Sequence, residues 1–295
     1  MKRFALLLSV VLFALTSCDK EEGTKYEPAQ PLYVDTITHV DGSVISLEYD
    51  SDMRVKGVNY VDANDKSKSC YYEIKYNLDM TNNNVTFDII CGDKKYIMKF
   101  NEYGALSQFV LDGSPQKVLS TFVYNSHTSI GAFHLELQGM VDNLTGGEAK
   151  RIDWSYGTPV NQINEIRKTI DGVTYTYSTS VQYSYLAYRS NVHANVNFFN
   201  LLMPEFLEHS NIPTVLAATV SVFGTRSTYI PTDVTVVKGC SIAGENYVKL
   251  SEEEREFTYD TDEKGHIIKI NTGKDDDDTK ELLYTIKYVG SEEDK

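Results

Sequence analysis

The chain has 295 residues, with 28 Lys and Arg against 42 Asp and Glu, a net charge of −14, and 41% hydrophobic residues that include 21 Tyr, 12 Phe and a single Trp. This is enough apolar material for a packed core and enough length for one large domain or two small ones. The charge argues against a nucleic-acid partner, because phosphates repel so acidic a surface. Four cysteines exclude a disulfide-dense miniature scaffold, and beyond the N-terminus no apolar run reaches the ~18 residues of a spanning helix.

The N-terminus reads as an address. Met1-Lys2-Arg3 is a short basic start, and the apolar run Phe4 to Leu15 is too short to span a bilayer. Leu15-Thr16-Ser17-Cys18 resembles a bacterial lipobox, in which the cysteine is acylated and becomes the mature N-terminus. Residues 1–17 are thus expected to be a lipoprotein signal peptide and Cys18 the lipidation site. Cleavage there removes Lys2 and Arg3 and takes the net charge from −14 to −16. Several acyl chains, at roughly 0.8 kcal/mol per buried CH₂, anchor a protein without any segment entering the membrane. Residues 18–31 are polar, charged and closed by Pro28 and Pro31, the composition of a flexible tether. Fully extended, this stretch reaches roughly 45 Å. Its acidic cluster resembles the surface-export signal of Bacteroides-type lipoproteins, and a plain solvated linker remains the alternative.

Residues 32–295 are expected to form a single β-domain. From Leu32 onward the dominant period is two: Val173, Tyr175 and Tyr177 alternate with Thr174, Thr176 and Ser178, and Val181, Tyr183 and Tyr185 with Gln182 and Ser184. Asp171-Gly172 between Ile170 and Val173 is a two-residue hairpin signal, pairing Ile170 with Val173, Lys168 with Tyr175 and Ile166 with Tyr177. Asp112-Gly113, Gly92-Asp93 and the run from Asn143 to Gly147 mark further turns. About a dozen strands in hairpin order give an antiparallel meander. A loose motif recurs at Tyr49-Asp50, at Tyr103-Gly104 and, most fully, from Phe257 to Ile268: a strand aromatic, an Asp or Asn nearby, a short loop often with Gly, then aliphatic residues. The carboxylate or amide can bond a backbone N–H two residues on, so a turn device is the expectation.

One stretch breaks the pattern. Asn197 to Glu208 is apolar with an acidic end, and Pro213 to Phe223 follows, with Gly224 placed to cap a helix. Pro204 argues against one continuous helix. One or two short helices near 197–223 are expected, packed on the sheet or plugging its end.

Taken together, the Tyr-rich strands, the insert ending Gly224-Thr225-Arg226-Ser227-Thr228-Tyr229-Ile230-Pro231 and the Phe257–Ile268 hairpin resemble an uncharacterised Bacteroides-type lipoprotein family, a domain of unknown function with a porin-like fold, over roughly residues 40–290. The resemblance implies an all-β fold: a large antiparallel β-meander curled into an open or closed barrel. It implies no activity. A lipid-embedded barrel is not expected, because Tyr lies mid-strand rather than in girdles, strands such as Glu281–Tyr288 keep charges within them, and Trp154 is alone.

The chemistry-bearing residues are sparse. Strands around Cys70–Tyr76 and Val85–Cys91 admit a register that sets Tyr76 opposite Val85, Ile74 opposite Phe87, Tyr72 opposite Ile89 and Cys70 opposite Cys91, with all eight on one apolar face. An exported protein meets oxidising conditions, so a Cys70–Cys91 disulfide is expected, two buried thiols being the alternative. Cys240 is left over as a small core residue. The six His show no metal-ligand spacing and there is no Cys-x-x-Cys, so neither a metal nor a cofactor is expected. Asp260 to Gly265 resembles a calcium loop only superficially, because Lys264 stands where an oxygen ligand belongs. Asp275 to Asp278 reads as a solvated loop. Catalytic signatures such as Gly-x-Ser-x-Gly are missing, so the chain is not expected to be an enzyme. Arg226, in so acidic a protein, is a speculative ligand contact, with a helix-end interaction as the plainer reading. The Tyr surplus invites a glycan reading, yet one alternating face must be buried in any case. The expectation is an outer-membrane lipoprotein, exposed at the cell surface or facing the periplasm. It would be a non-enzymatic binding or scaffold module for a glycan or an outer-membrane protein. The alternatives are a carrier of a lipid or hydrophobic molecule in a half-open barrel, and a hydrolase.

Overall fold

The computed structural model describes residues 32–79, 84–100, 106–125, 134–138, 148–155, 158–190, 195–203, 212–220, 229–242, 245–273 and 280–290. Sixteen strands occur among the described residues: β1 (Val34–His39), β2 (Val44–Tyr49), β3 (Val55–Val61), β4 (Cys70–Asp79), β5 (Asn84–Cys91), β6 (Lys94–Phe100), β7 (Leu106–Leu111), β8 (Lys117–Asn125), β9 (His134–Gln138), β10 (Glu148–Ser155), β11 (Thr158–Ile170), β12 (Val173–Ser190), β13 (Tyr229–Ile242), β14 (Glu245–Thr261), β15 (Ile267–Thr272) and β16 (Glu281–Tyr288). Each pairs antiparallel with its neighbours in sequence. β1 pairs with β16 as well as with β2, so the meander closes into a barrel.

Alternation decides which face goes in. Ile45 and Leu47 of β2, Val58 of β3, Ile74 of β4, Ile89 of β5, Met98 of β6, Phe109 of β7, Val234 and Val236 of β13, and Ile286 of β16 belong to one buried apolar cluster. Their neighbours on the other face include Glu48, Lys56, Lys75, Gln182, Asp233, Lys269 and Lys287, all exposed. The apolar face is the inner one. Two short helices, α1 (Phe198–Leu202) and α2 (Thr214–Thr219), pack against each other, with α1 on β13 and α2 on β3, strands well separated around the ring. The helices therefore bridge the lumen. α1 is apolar around most of its circumference, as a fully enclosed helix must be, and Phe198, Phe199, Leu201 and Leu202 are all buried.

The insert thus holds two short helices, as its composition implies. α1 stops at Leu202, before Pro204. α2 ends at Thr219 rather than running to a cap at Gly224, which lies outside the described residues. The β-branched Thr219 and Val220 are weak helix formers, and the Thr219 hydroxyl turns back to the Val215 carbonyl at 2.8 Å.

Turn chemistry sets the hairpins. Asp171 and Gly172 have φ of 51° and 78°, the left-handed pair a two-residue turn demands, and the expected register is observed, from Ile170 opposite Val173 to Ile166 opposite Tyr177. The recurrent Asp loop is a turn device at two described sites. Asp50 Oδ1 accepts the N–H groups of Asp52 and Arg54, each at 2.9 Å, while Oδ2 takes Arg54 Nε at 2.8 Å. Asp262 repeats this with Lys264 N–H at 2.9 Å, His266 N–H at 2.8 Å and His266 Nδ1 at 2.8 Å. In the second loop the turn residue is Asp262; Asp260, two residues earlier, instead pairs with Lys280 at 3.0 Å. The instance around Tyr103 lies outside the described residues.

Four inward tyrosines lock one rim. Tyr49 of β2 donates to the Val34 carbonyl, Tyr76 of β4 to that of Val55 at 2.7 Å, Tyr259 of β14 to that of Pro231, and Tyr288 of β16 to that of Ile267 at 2.8 Å. Even strands run toward the rim from which odd strands start, so all four phenols act at one end of the barrel. Burial raises the Tyr76 phenol to about 12 and the Tyr288 phenol as well, and keeps both as neutral donors. The Tyr76→Phe variant is expected to lose about 1–3 kcal/mol, because it strands a buried carbonyl; urea denaturation measures it. At the opposite rim, Asp41 is held down to about 2 by the Ser43 N–H and by His39. A folded pKa below the ordinary ~3.9 means that its contribution is present above about pH 4 and lost as pH falls toward 2. A carboxyl titration of Asp41 by NMR checks this, and the Ser43 amide should shift with it.

Candidate functional site

Three places in the described structure could carry function: the lumen, the tyrosine-locked rim and a projecting arm. The lumen is occupied. Asn195, just before α1, holds the barrel's entry strand: its N–H donates to the Leu32 carbonyl at 3.1 Å, its Oδ1 accepts the Val34 N–H at 2.8 Å, and its Nδ2 donates to Tyr49 at 2.7 Å. Asn200, wholly buried, donates to the Ala217 carbonyl at 2.7 Å and ties α1 to α2. Tyr183 packs edge-on against Phe199 and donates to Gln162 at 2.9 Å. This is a plug, built from the insert that the sequence marks as non-β.

The arm follows from unequal strand lengths. β11 to β14 have 13, 18, 14 and 17 residues, whereas β15 has six. β15 pairs with β14 only from Phe257 to Thr261. The parts of β12, β13 and β14 nearest the Asp171-Gly172 turn outrun it. Their inner face continues the apolar face of the barrel without the plug to cover it: Ile170, Val173, Tyr177, Ile242 and Val248 are 37–55% exposed. Lys168 sits over the Tyr177 ring at 5.8 Å. The outer face of β12 is Thr and Ser, and that of β14 carries Glu252 and Glu254. Seven of the thirteen exposed large hydrophobics among the described residues lie on this arm, counting Tyr247 and Leu250. Sequence reasoning missed it, because Tyr and Val at strand period look the same whether or not another layer covers them.

The residues singled out from sequence fare unequally. Cys70 and Cys91 are joined, with Cα atoms 6.5 Å apart, inside the range a disulfide spans. The register around them differs from the expected one. Tyr76 faces Phe87 rather than Val85, and Ile74 faces Ile89 rather than Phe87. The ladder runs on through Asn77, Leu78 and Asp79 to Asn84, a slip of two residues. A slip of two keeps every side chain on its face, so the cysteines bond diagonally instead of directly across. Cys240 is a free thiol of intermediate exposure on the arm's inner face, opposite Tyr177 and Val248. It is not a core residue. Cys18, Arg226 and Asp275 to Asp278 lie outside the described residues. In the loop that resembles a calcium site, both Asp262 oxygens are engaged by its own turn, as given above. The three tyrosines exposed by more than a third do not converge. Tyr71 covers Gly57 on the outer face, Tyr247 covers Gly239, also outside, and Tyr177 faces inward.

Solved structures share this architecture. A porin-like protein from Bacteroides vulgatus ATCC 8482 matches at 14% identity and a TM-score of 0.53, covering 87% of this chain and 98% of that one. A porin-like protein from Bacteroides uniformis ATCC 8492 matches at 12% identity and a TM-score of 0.51, covering 88% and 99%. No family model and no curated protein matches the sequence. At these identities the likeness is one of fold, and the porin-like architecture implied by the sequence resemblance is met. In the described strands the polarity is the reverse of a porin's, whose outward band is apolar and whose interior is polar.

Reduction of the Cys70–Cys91 bond, which spans 21 residues, is expected to cost about 2–4 kcal/mol. Guanidinium unfolding with and without reductant, repeated on a Cys70→Ser/Cys91→Ser double variant, should give the same loss.

Proposed function

We propose that the chain is a lipid-anchored, non-enzymatic binding module of the bacterial outer membrane, held at the cell surface or in the periplasm by acylated Cys18 and engaging its partner through the projecting arm. The observation that carries this reading is the polarity of the barrel. In the strands whose side chains are described, a charged outer face gives acyl chains nothing to cover, and the inner face is apolar and carries the buried helices α1 and α2 instead of a polar lining. Neither property suits a pore. The closed, plugged barrel then serves as a rigid scaffold, and the apolar surface it leaves uncovered lies on the arm. A patch of this kind marks an interaction site more often than chance exposure. The tether supplies reach, and the acyl chains supply residence at the membrane.

A protein partner fits better than a glycan. The arm offers main-chain groups and a mixed Tyr, Val and Ile surface, whereas the exposed tyrosines stand apart instead of forming one stacking platform.

The Cys18→Ala variant, expressed in a bacterium with lipoprotein processing and fed an alkyne fatty acid, is expected to lose the label and to move from the membrane fraction to the soluble one. A chain that stays in the membrane after carbonate extraction, without the label, would show that the barrel itself is embedded.

A further inference from the structure

The arm has a free edge. β14 is paired with β13 from Glu245 to Glu256, whereas β15 pairs with it only from Phe257 to Thr261. Gly273 N–H donates to the Glu256 carbonyl at 3.0 Å. Among the described residues, Glu245 to Glu254 have ladder partners on β13 alone. All nine residues from Asn246 to Glu254 are exposed, on both faces, including Tyr247 at 56%, Val248 at 55% and Leu250 at 60%. An unpaired strand of this length is a template for another strand unless something blocks it.

The direction of its main-chain groups can be read. The Glu256 carbonyl faces β15, and the two-residue period of a strand turns Glu254 and Glu252 the same way. Their N–H and C=O groups point to the open side. Their side chains lie on the outer face together, while Val248, Ser251 and Glu253 face inward, continuous with Tyr177 and Ile242 of the neighbouring strands. An incoming strand would therefore meet Glu252 and Glu254 on its outward positions, and on its inward ones Val248, Ser251 and Glu253, the last already neutralised by Arg255.

We infer that this edge takes up an extended segment of a partner protein as an added strand, and that the segment carries Lys or Arg at every second position, facing Glu252 and Glu254, with uncharged residues between them. The inference rests on the binding reading above and gives the partner its chemistry. Charge supports it. Residues 245–256 hold Glu245, Glu252, Glu253, Glu254 and Glu256 against Lys249 and Arg255. The two bases already pair with Glu252 at 2.5 Å and Glu253 at 2.6 Å. A basic strand adds the missing positive charge. A second copy of this chain would bring its own −14 and the same acidic edge to the contact, and like charges directly across a ladder are destabilising. Main-chain hydrogen bonds would supply the affinity, and the alternating side chains the specificity.

The test uses the full chain and two synthetic ten-residue peptides, one alternating Lys with Val and one alternating Glu with Val. The Lys peptide is expected to bind, to weaken as salt rises, and to slow amide exchange at Glu252 and Glu254. Glu254→Pro removes an N–H on the open side without touching the bonds to β13, and should weaken binding by about tenfold. Glu252→Lys/Glu254→Lys keeps the backbone and should transfer preference to the Glu peptide, which decides the matter even if the proline variant does not fold. Equal binding of both peptides to the unaltered chain overturns the inference. So does failure of the Lys peptide to protect Glu252 and Glu254. A concentration-dependent dimer that Glu254→Pro dissociates also overturns it, by assigning the edge to a second copy. The Cys18→Ala variant should bind the Lys peptide unchanged, so failure of the anchor and failure of the edge are told apart.

Discussion

A ring of sixteen strands encloses more volume than the side chains of its own inner face can fill. Small barrels fill themselves, whereas barrels of this strand number leave a channel or need a plug. This sequence answers with apolar inward residues and an insert between β12 and β13 that returns into the ring. The filling determines much else. The helices must be short, because the lumen is bounded. α1 must be apolar around most of its circumference. Asn195 meets the backbone of the entry strand and the Asn200 amide N–H meets the Ala217 carbonyl, so part of the polar demand is met inside. With the inner face apolar, the outer face has to carry the polar residues, and it does so with Glu48, Lys75, Lys269 and their like.

The tyrosines belong to the same solution. A phenol is long enough to fill a wide ring and ends in a donor that must find a partner when buried. At the plugged rim that partner is the first stretch of a neighbouring strand. Each of the four bonds fixes where an odd strand begins relative to the even strand beside it. Tyr49 joins both systems, since it donates to Val34 and also receives the Asn195 amide. Much of the Tyr-rich composition is thus a property of how the barrel is filled and closed. Among the residues whose burial is described, Tyr71, Tyr177 and Tyr247 are the exposed tyrosines.

What could be read from sequence depended on whether local chemistry fixed a length. Asp171-Gly172 is a two-residue turn, so it fixed both strands and their register. Between β4 and β5 the loop is a polar run of Asp, Thr and Asn with no such punctuation. Period two cannot distinguish a register from one shifted by two, so the face of Cys70 and Cys91 was legible and their alignment was not. The helices were legible from apolar runs and from prolines, but the end of α2 was set by β-branched residues and burial, not by the distant Gly224. The arm was illegible for a different reason. It arises because β15 is short while β14 is long, a comparison that matters only once the two are known to be neighbours. The Tyr-Asp motif was read correctly as a turn device, yet Asp262 rather than Asp260 does the work, because the carboxylate must sit at the first position of the loop to reach the N–H groups two and four residues on.

Closing a sheet removes its edges, which is the usual protection of a barrel against unwanted pairing. The protection is lost wherever a strand outruns its neighbour. Among the described residues β14 does so from Glu245 to Glu254 and keeps few of the defences an idle edge displays. It has no proline between Glu245 and Arg255, and it presents Tyr247, Val248 and Leu250 to solvent. What it does have is acid. Glutamates on an exposed edge deter neutral and acidic strands, including those of identical chains, while leaving the hydrogen-bonding row intact for a strand of opposite charge. An edge guarded by charge alone is selective rather than closed, and this distinguishes the arm from the remainder of a barrel whose described strands are paired on both sides.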